Sequence, residues 1–175
     1  MKLYSKAGTL NFLSKDKNFK IPKLKSYKVK FYINNKDKVL NYIKKNFSSK
    51  IALRSSNVYE DKNSTKAGMF KSYLNINPKN YKDVKRKIEK VINSYKNYQS
   101  SNNEFFVQEM VKKPIYSGVC FTKNIQDNTP EWKINYTKSK DTTLVTSGRS
   151  EVRSINFLEK KQIKFKNKVF KKFYF

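Results

Sequence analysis

The spacing of apolar side chains predicts three helices along the chain. Apolar residues recur at three-residue intervals from Ala7 to Leu13, and Ser5 precedes them as a predicted N-cap. Helical spacing returns over residues 36–47. The clearest amphipathic pattern covers 81–95, where lysines and glutamates fill the remaining sides.

Shorter apolar runs between these segments predict strands. Tyr27, Val29 and Phe31 alternate with other residues, which is typical of a half-buried strand. The buried run 51–53 is expected to carry Arg54 and two serines into a polar loop. The other predicted strands cover 69–76, in which Phe70 and Leu74 are expected to share a face, 105–107, 116–122, 132–136, 143–146 and 163–169. Strands that alternate with two or three helices favour an α+β fold. A length of 175 residues suits one domain, although two small lobes are also possible, and we expect one compact unit.

The balance of charge makes a polyanionic partner one of the classes to consider. The chain has 40 Lys and Arg against 13 Asp and Glu, a formal net charge of +27, which attracts nucleic acids. The lysines, however, are spread over the whole chain, and arginine, which reads phosphates and bases bidentately, occurs only at Arg54, Arg86, Arg149 and Arg153. Two interpretations stay open: nucleic-acid binding through charge alone, or a compositional bias without a dedicated site.

The absence of histidine excludes several kinds of chemistry. Without imidazole the chain has no phosphohistidine, no His-based metal site and no Ser-His or Cys-His pair. Cys120, the single cysteine, cannot form an internal disulfide, which fits a reducing cytoplasm, and its apolar neighbours predict a buried side chain. The first residues lack the apolar core of a signal peptide, and no segment is long and apolar enough to span a membrane. The expected location is the cytoplasm.

Three stretches of sequence, in a shared order and spacing, carry a resemblance to a known family. They are Leu53–Ser56 with Glu60, Asp61, 64–70 and 73–76; Val107–Val111 followed by Ser117–Thr122; and Ile134–Tyr136 followed by Val145–Gly148. A weaker match is Lys6–Leu10 near the start. Together they resemble the amino-terminal ATP-binding domain of phosphoenolpyruvate synthases, pyruvate phosphate dikinases and rifampin phosphotransferases. The resemblance implies an ATP-grasp-like mixed sheet with two or three flanking helices, incomplete at its C-terminal side.

Arg54 is the first candidate for contact with nucleotide phosphates. It follows a buried strand, so its guanidinium has a rigid support from which it can form charge-assisted bonds to phosphate oxygens. The alternative is a structural ion pair with Glu60 or Asp61. The segment Ser64–Gly68 is rich in small residues and can bring backbone N–H groups close to an anion, although most loops of this kind are simple turns. The resemblance implies that the phosphates contact Lys6, Arg54, Lys66, Ala67 and Gly68.

The run from Val107 to Val111 is the candidate for contact with the adenine. As a strand, it would offer exposed backbone N–H and C=O groups to the edge of the base, and Met110 would add an apolar contact. The alternative is a core strand that binds nothing. The resemblance implies that the adenine hinge consists of Gln108, Glu109, Met110 and Val111. We then expect Arg54, Gly68 and Met110 to converge on one cleft.

The function implied by the resemblance is ATP binding within a phosphotransferase. Enzymes of the family move a phosphoryl group from ATP to a histidine in a separate domain, and then to pyruvate or another acceptor. Mg²⁺ is implied as well, with ligands expected outside this chain. Residues 1–149 would form a partial nucleotide-binding domain, and 150–175 a Lys- and Phe-rich tail that adds a last strand or hairpin. The expected partners are the missing C-terminal half or the phosphohistidine and acceptor domains.

No catalytic residue is assigned to this chain, because it has neither a histidine nor the acidic metal-binding segment of the family. A truncated gene, one half of a split enzyme and a stand-alone nucleotide-binding module all stay open. Two other classes stay open as well. One is a basic nucleic-acid binder whose aromatic side chains stack on bases, and the other is an inactive fragment of the enzyme.

Overall fold

The computed structural model describes residues 5–57, 71–95, 102–124, 126–139, 145 and 152–158. The chain divides into two compact units, Met1–Val111 and Lys112–Phe175. This division differs from the single compact unit that the length led us to expect, and matches the alternative of two small lobes. Within the described ranges, helices and two antiparallel sheets confirm the predicted α+β class.

The first unit contains four helices and four strands among its described residues. The helices are α1 (Lys6–Leu13), α2 (Val29–Asn34), α3 (Lys36–Asn46) and α4 (Tyr81–Asn93). The strands are β1 (Leu24–Lys28), β2 (Ile51–Ser56), β3 (Ser72–Ile76) and β4 (Glu104–Glu109). The three predicted helices are confirmed, and the Ser5 hydroxyl caps α1 by accepting the Gly8 N–H at 3.2 Å. None of the helices in this part of the chain has the length and apolar content needed to cross a bilayer.

The four strands form one antiparallel sheet in the order β1-β4-β2-β3. β4 lies inside the sheet, because its residues pair with β1 on one side and with β2 on the other. Directly opposed residues of antiparallel strands point to the same face of a sheet. The register therefore assigns each side chain of these strands to one of two faces.

The core of the first unit lies on one face of this sheet, under α2, α3 and α4. Leu53 and Val107 oppose each other across β2 and β4 and are fully buried there. The other large buried members of this cluster are Tyr32, Val39, Leu40, Ile43, Phe47, Ile51, Val84, Ile88, Val91 and Phe105. Burial of this apolar layer stabilises the unit. It also fixes which side chains of β2 and β4 point to the opposite face.

Helix α2 lies where the alternating pattern predicted that β1 would continue through Phe31. The chain turns after β1, where the Val29 N–H donates to the carbonyl oxygen of Asn103 at 2.9 Å. The turn buries Tyr32, whose ring meets Phe105 edge-on with 5.5 Å between centroids, and it leaves Phe31 exposed. The predicted strand was wrong here because a helical turn places Tyr32 in the core.

β2 extends farther than the sequence predicted. Arg54, Ser55 and Ser56 remain paired with β4 and do not enter a loop. β2 continues to pair because β4 has partner residues as far as Glu104. Both serines of β2 are buried. Arg54 is therefore held by a paired strand in the interior of the sheet.

β3 contains a shift of register that the sequence did not reveal. Pairing with β2 gains one residue near Asn75, whose φ of 59° is left-handed, as in a β-bulge. After the shift Ile76 is buried, whereas Leu74 stays exposed. Phe70, the predicted partner of Leu74 on one face, lies outside the described residues.

The second unit contains a three-stranded antiparallel sheet in the order β5-β6-β7. Its strands are β5 (Ser117–Phe121), β6 (Glu131–Thr137) and β7 (Arg153–Leu158). The strands predicted over 116–122 and 132–136 are confirmed, and β7 supplies a strand inside the segment 150–175. The strands predicted over 143–146 and 163–169 fall outside the continuous described segments.

β5 explains why the predicted burial of Cys120 was wrong. The half-buried Val119 and Phe121 point to one face of this edge strand, and Cys120 points to the other, where it is exposed. Apolar neighbours in sequence therefore do not share its environment. Gly118 on the same strand allows β6 to approach closely, since a Cβ there would lie 2.5 Å from the carbonyl oxygen of Asn135.

Candidate functional site

The face of the first sheet opposite the core collects several of the candidate side chains. Pairing arranges this face in three rows, namely Lys28, Glu104 and Ser56; Ser26, Phe106 and Arg54; and Leu24, Gln108 and Ala52. We call it the Arg54 face. It carries two residues that the sequence indicated, Arg54 and Gln108, and two that sequence reasoning missed, Ser56 and Glu104.

Arg54 lies in the middle row and packs against an aromatic ring. Its guanidinium carbon is 5.6 Å from the ring centroid of Phe106, which is fully buried. Within the described ranges no carboxylate lies at ion-pair distance from Arg54. Glu60 and Asp61, the predicted alternative partners, lie outside those ranges. A half-buried cation supported in this way is suited to donate charge-assisted hydrogen bonds to an anionic ligand.

Gln108 stands beside Arg54 on the same face. It pairs with Ala52, whereas Arg54 pairs with Phe106, so Gln108 and Arg54 are diagonal neighbours on adjacent strands. Such neighbours lie roughly 7–8 Å apart, within reach of one ligand for two long side chains. The pair combines a cation with a neutral amide that both donates and accepts hydrogen bonds.

The end of β4 differs from the exposed strand that was expected of an adenine hinge. β4 ends at Glu109 and lies inside the sheet, not at its edge. The Glu109 N–H donates to the carbonyl oxygen of Lys23 at 2.9 Å, and the Met110 N–H to that of Lys50 at 2.8 Å. Neighbouring segments thus already accept these two backbone donors. Val111, which is 55% exposed, is the first residue beyond them.

Arg54 and Met110 lie at different positions along the sheet. Met110 is hydrogen-bonded to Lys50, four residues before Arg54, so the two rows are about 13 Å apart at ~3.3 Å per residue. Gly68, the third residue expected to line this cleft, lies outside the described residues, as do Lys66 and Ala67. The structure places Arg54 and Gln108 side by side and Met110 about 13 Å from the row of Arg54.

Helix α1 docks at the first row of the Arg54 face. The Ala7 N–H donates to Ser56 Oγ at 3.0 Å, and Ala7 is buried. Ser56 is two residues beyond Arg54 on the same face of β2. The backbone of Lys6, which immediately precedes Ala7, therefore lies beside the strand that carries Arg54.

A polar cluster joins α1 to the sheet at this row. The Glu104 carboxylate accepts hydrogen bonds from the hydroxyls of Ser5 and Ser56, the second at 3.1 Å, and Lys28 Nζ lies 3.7 Å away. The Ser56 N–H donates to the hydroxyl oxygen of Tyr95 at 2.8 Å, and that hydroxyl donates to the Glu104 carbonyl oxygen at 2.7 Å. The one sequence signal for this cluster was a glutamate directly before three apolar strand residues.

The part of the chain that the structure describes contains no group of three side chains able to hold a metal ion. The Arg54 face itself supplies one carboxylate, Glu104, which two hydroxyls and Lys28 already contact. The described residues therefore fit an anionic ligand better than a cation at this face.

Comparison with known proteins identifies a family for most of the chain. The family model described as the AMP/ATP-binding domain of pyruvate phosphate dikinase matches residues 32–155, more than half of the 175-residue chain. The matched range contains Arg54, 66–68 and 108–111, and it begins after Lys6. Comparison with curated proteins finds no match. The chain belongs to the family of the pyruvate phosphate dikinase AMP/ATP-binding domain.

Proposed function

We propose that the chain binds ATP on the Arg54 face, as the nucleotide-binding part of a phosphotransferase of the pyruvate phosphate dikinase and phosphoenolpyruvate synthase type. The observation that carries this proposal is the juxtaposition of Arg54 and Gln108 on one face, within the matched range. The family indicates the class of ligand. The register shows which described side chains share the face to which this proposal assigns that ligand.

The phosphates would lie at the Arg54 end of this face. The guanidinium offers several donors in a fixed plane, and the buried ring beneath it limits its movement. Lys6 would add a second cation from the docked helix, and residues 66–68 follow β2 along the chain. Two cations beside a triphosphate would offset much of its negative charge.

The base would lie toward the opposite end of β4. The separation of about 13 Å between the rows of Arg54 and Met110 suits an extended ligand with an anionic end and an aromatic end. Because the Glu109 and Met110 amides are already bonded, polar recognition of the base would fall to the Gln108 side chain and to the backbone of Val111. Met110 would supply an apolar contact.

ATP supplies the phosphoryl group in this class of reaction, and the residues of this chain would bind it, orient it and offset its charge. The chain contains no histidine, so a phosphorylated histidine would belong to a partner domain or a partner chain. Acidic ligands for Mg²⁺ would likewise come from outside the described residues.

Titration of the full chain with ATP and Mg²⁺, followed by calorimetry, tests the proposal. We expect Arg54→Ala to weaken binding at least tenfold, since a charge-assisted bond to phosphate is lost. Arg86→Ala is the matched control: it removes the same charge from an exposed position on α4, where Arg86 pairs with Asp83 at 2.6 Å. No binding by the unsubstituted chain, or equal losses in the two variants, would contradict the proposal.

Nucleic-acid binding is a second candidate, favoured by one surface of α4. Lys82, Lys85, Arg86 and Lys90 recur at helical spacing and are all exposed, on the side away from the buried stripe of this helix. Such a row of cations attracts polyanions. Asp83 neutralises only part of it, through its pair with Arg86.

Binding of a single-stranded oligonucleotide at low and moderate salt separates the two candidates. Nucleic-acid binding predicts that affinity for the oligonucleotide falls steeply with salt and that the chain shows no preference for ATP. The double variant Lys85→Ala with Arg86→Ala should make this dependence on salt less steep. ATP binding that these α4 substitutions leave unchanged would favour the first.

A further inference from the structure

Glu104 occupies an unusual position for a charged residue. It begins β4 directly before Phe105, Phe106 and Val107, all fully buried, and its own side chain is only 13% exposed. A carboxylate that leaves water in this way needs hydrogen bonds or an opposite charge to compensate. Glu104 has both, from the hydroxyls of Ser5 and Ser56 and from Lys28.

Two of these partners belong to elements that carry candidate phosphate ligands. Ser5 is the N-cap of α1, directly before Lys6, and its oxygen accepts the Gly8 N–H while its hydroxyl donates to Glu104. Ser56 ends β2, two residues beyond Arg54, and it also accepts the Ala7 N–H. One carboxylate thus orients the hydroxyls that join the first turn of the helix to the end of the strand.

We propose that Glu104 is a positioning residue for the nucleotide: it holds the first turn of α1 against β2, so that Lys6 and Arg54 face the same phosphate chain. This inference rests on the proposed function. Glu104 itself would not touch the ligand, because its oxygens are turned to Ser5, Ser56 and Lys28. It acts through the placement of α1.

The positioning role of Glu104 can be tested by measuring how substitutions of Glu104 and Lys6 combine in their effect on ATP affinity. If Glu104 acts only by placing Lys6, then removing Lys6 leaves Glu104 nothing to contribute to binding. The losses of affinity from the two substitutions would then not multiply. A residue that merely stabilises the fold has no reason to show such coupling to one lysine.

The experiment measures ATP affinity of the full chain by calorimetry for three single variants and one double variant. We expect Glu104→Ala and Lys6→Ala each to weaken binding about tenfold, and the double variant to be no weaker than either alone. Glu104→Gln keeps an oxygen that accepts from Ser5 and Ser56, so it should bind within about twofold of the unsubstituted chain. Lys28→Ala removes the ion pair with Glu104 and a long hydrogen bond to the Asn102 carbonyl oxygen at 3.4 Å, and leaves both hydroxyl contacts of Glu104 in place, so it should do the same.

Amide hydrogen exchange gives a readout that does not depend on ATP. Glu104→Ala should speed exchange in α1 and leave the buried turns of α4 unchanged. Unchanged exchange in α1, or affinity losses that multiply, would overturn the positioning role. If the unsubstituted chain binds ATP and Arg54→Ala weakens it while Glu104→Ala does not, only the inference fails. If the unsubstituted chain binds no ATP, the proposed function fails, and the role of Glu104 in binding fails with it.

Discussion

Arg54 lies directly across from Phe106 on the neighbouring strand, with its guanidinium carbon 5.6 Å from the centre of the ring. The ring is fully buried, so it cannot move aside without disturbing the sheet. A guanidinium can stack on such a ring and still present donors in its plane, which an ammonium group does less well. Packing of the Phe106 ring within the first unit therefore helps to fix the position of Arg54, the side chain proposed to bind phosphate.

Phe106→Leu should lower both stability and ATP affinity. The smaller side chain removes buried apolar contacts, which we expect to reduce the free energy of unfolding by roughly 0.5–3 kcal/mol. It also removes the cation–π contact with Arg54, worth about 0.5–1 kcal/mol, and should weaken ATP binding about two- to fivefold. Urea unfolding and calorimetric titration measure the two effects separately.

Phe105→Leu is the control for this substitution. Phe105 is the preceding residue and is equally buried, but it points to the core face. We expect a loss of stability in the same range with no change of ATP affinity. If both variants lose affinity equally, the ring of Phe106 has no particular role in supporting Arg54.

Asn80→Ala should destabilise the first unit by removing the N-cap of α4. The Asn80 side-chain oxygen accepts the Asp83 N–H at 3.1 Å, and its loss leaves one donor of the first turn without this partner. The expected fall in the free energy of unfolding is about 1 kcal/mol. Asn93→Ala, at the exposed C-terminal end of the same helix, should stay within about 0.5 kcal/mol of the unsubstituted chain. Equal effects in urea unfolding would show that the cap contributes little.

Helices α1, α3 and α4 could be predicted because their signals are local. In α4 the apolar stripe identifies the buried residues Val84, Ile88 and Val91 without any knowledge of the sheet. Ser5 could be recognised as a cap for the same reason, since it bonds a backbone group three residues away. The fold class and these three helices therefore followed from the sequence, whereas α2 did not, because burial of Tyr32 against Phe105 overrode the local alternation.

The sheet and its site depend on pairings that the sequence does not state. The position of β4 between two strands decides that Glu109 and Met110 have bonded amides, and no local pattern indicates this. Glu104 could not be recognised as the centre of a polar cluster, because its partners Ser5 and Ser56 are 99 and 48 residues away. Register, rather than propensity, decides these features.

Cys120 should react with a thiol reagent in the folded protein. Its side chain is exposed, and it is the single cysteine, so Cys120→Ser should give no labelling. Partial burial raises the pKa of the Cys120 thiol, which lowers the fraction of reactive thiolate near neutral pH. We expect labelling of the native chain that is slower than in denaturant and that speeds up as the pH rises. Labelling only after unfolding would contradict the exposure of this face of β5.

Tyr32 gives the first unit a predicted loss of stability at alkaline pH. The side chain is fully buried, and its hydroxyl has no hydrogen-bond partner among the described residues. Burial, with smaller effects from Glu89, Tyr81 and Asp37, raises the pKa of Tyr32 from 10.0 to about 12. The folded state thus holds this proton more tightly than the unfolded state does. The contribution of the protonated Tyr32 hydroxyl to the free energy of unfolding is fully present below pH 10. It is lost as the pH rises from 10 to about 12.

Tyr32→Phe isolates this contribution, because it keeps the ring against Phe105 and removes only the ionisable group. Near neutral pH the variant should be about as stable as the unsubstituted chain or slightly more stable, since a buried hydroxyl without a partner is removed. Between pH 10 and 12 it should lose less free energy of unfolding, while the other tyrosines and the lysines titrate equally in both proteins. Urea unfolding at pH 7, 9 and 11 measures the difference. Parallel pH profiles would mean that Tyr32 ionises as readily in the folded chain as in the unfolded one, which its burial against Phe105 should prevent.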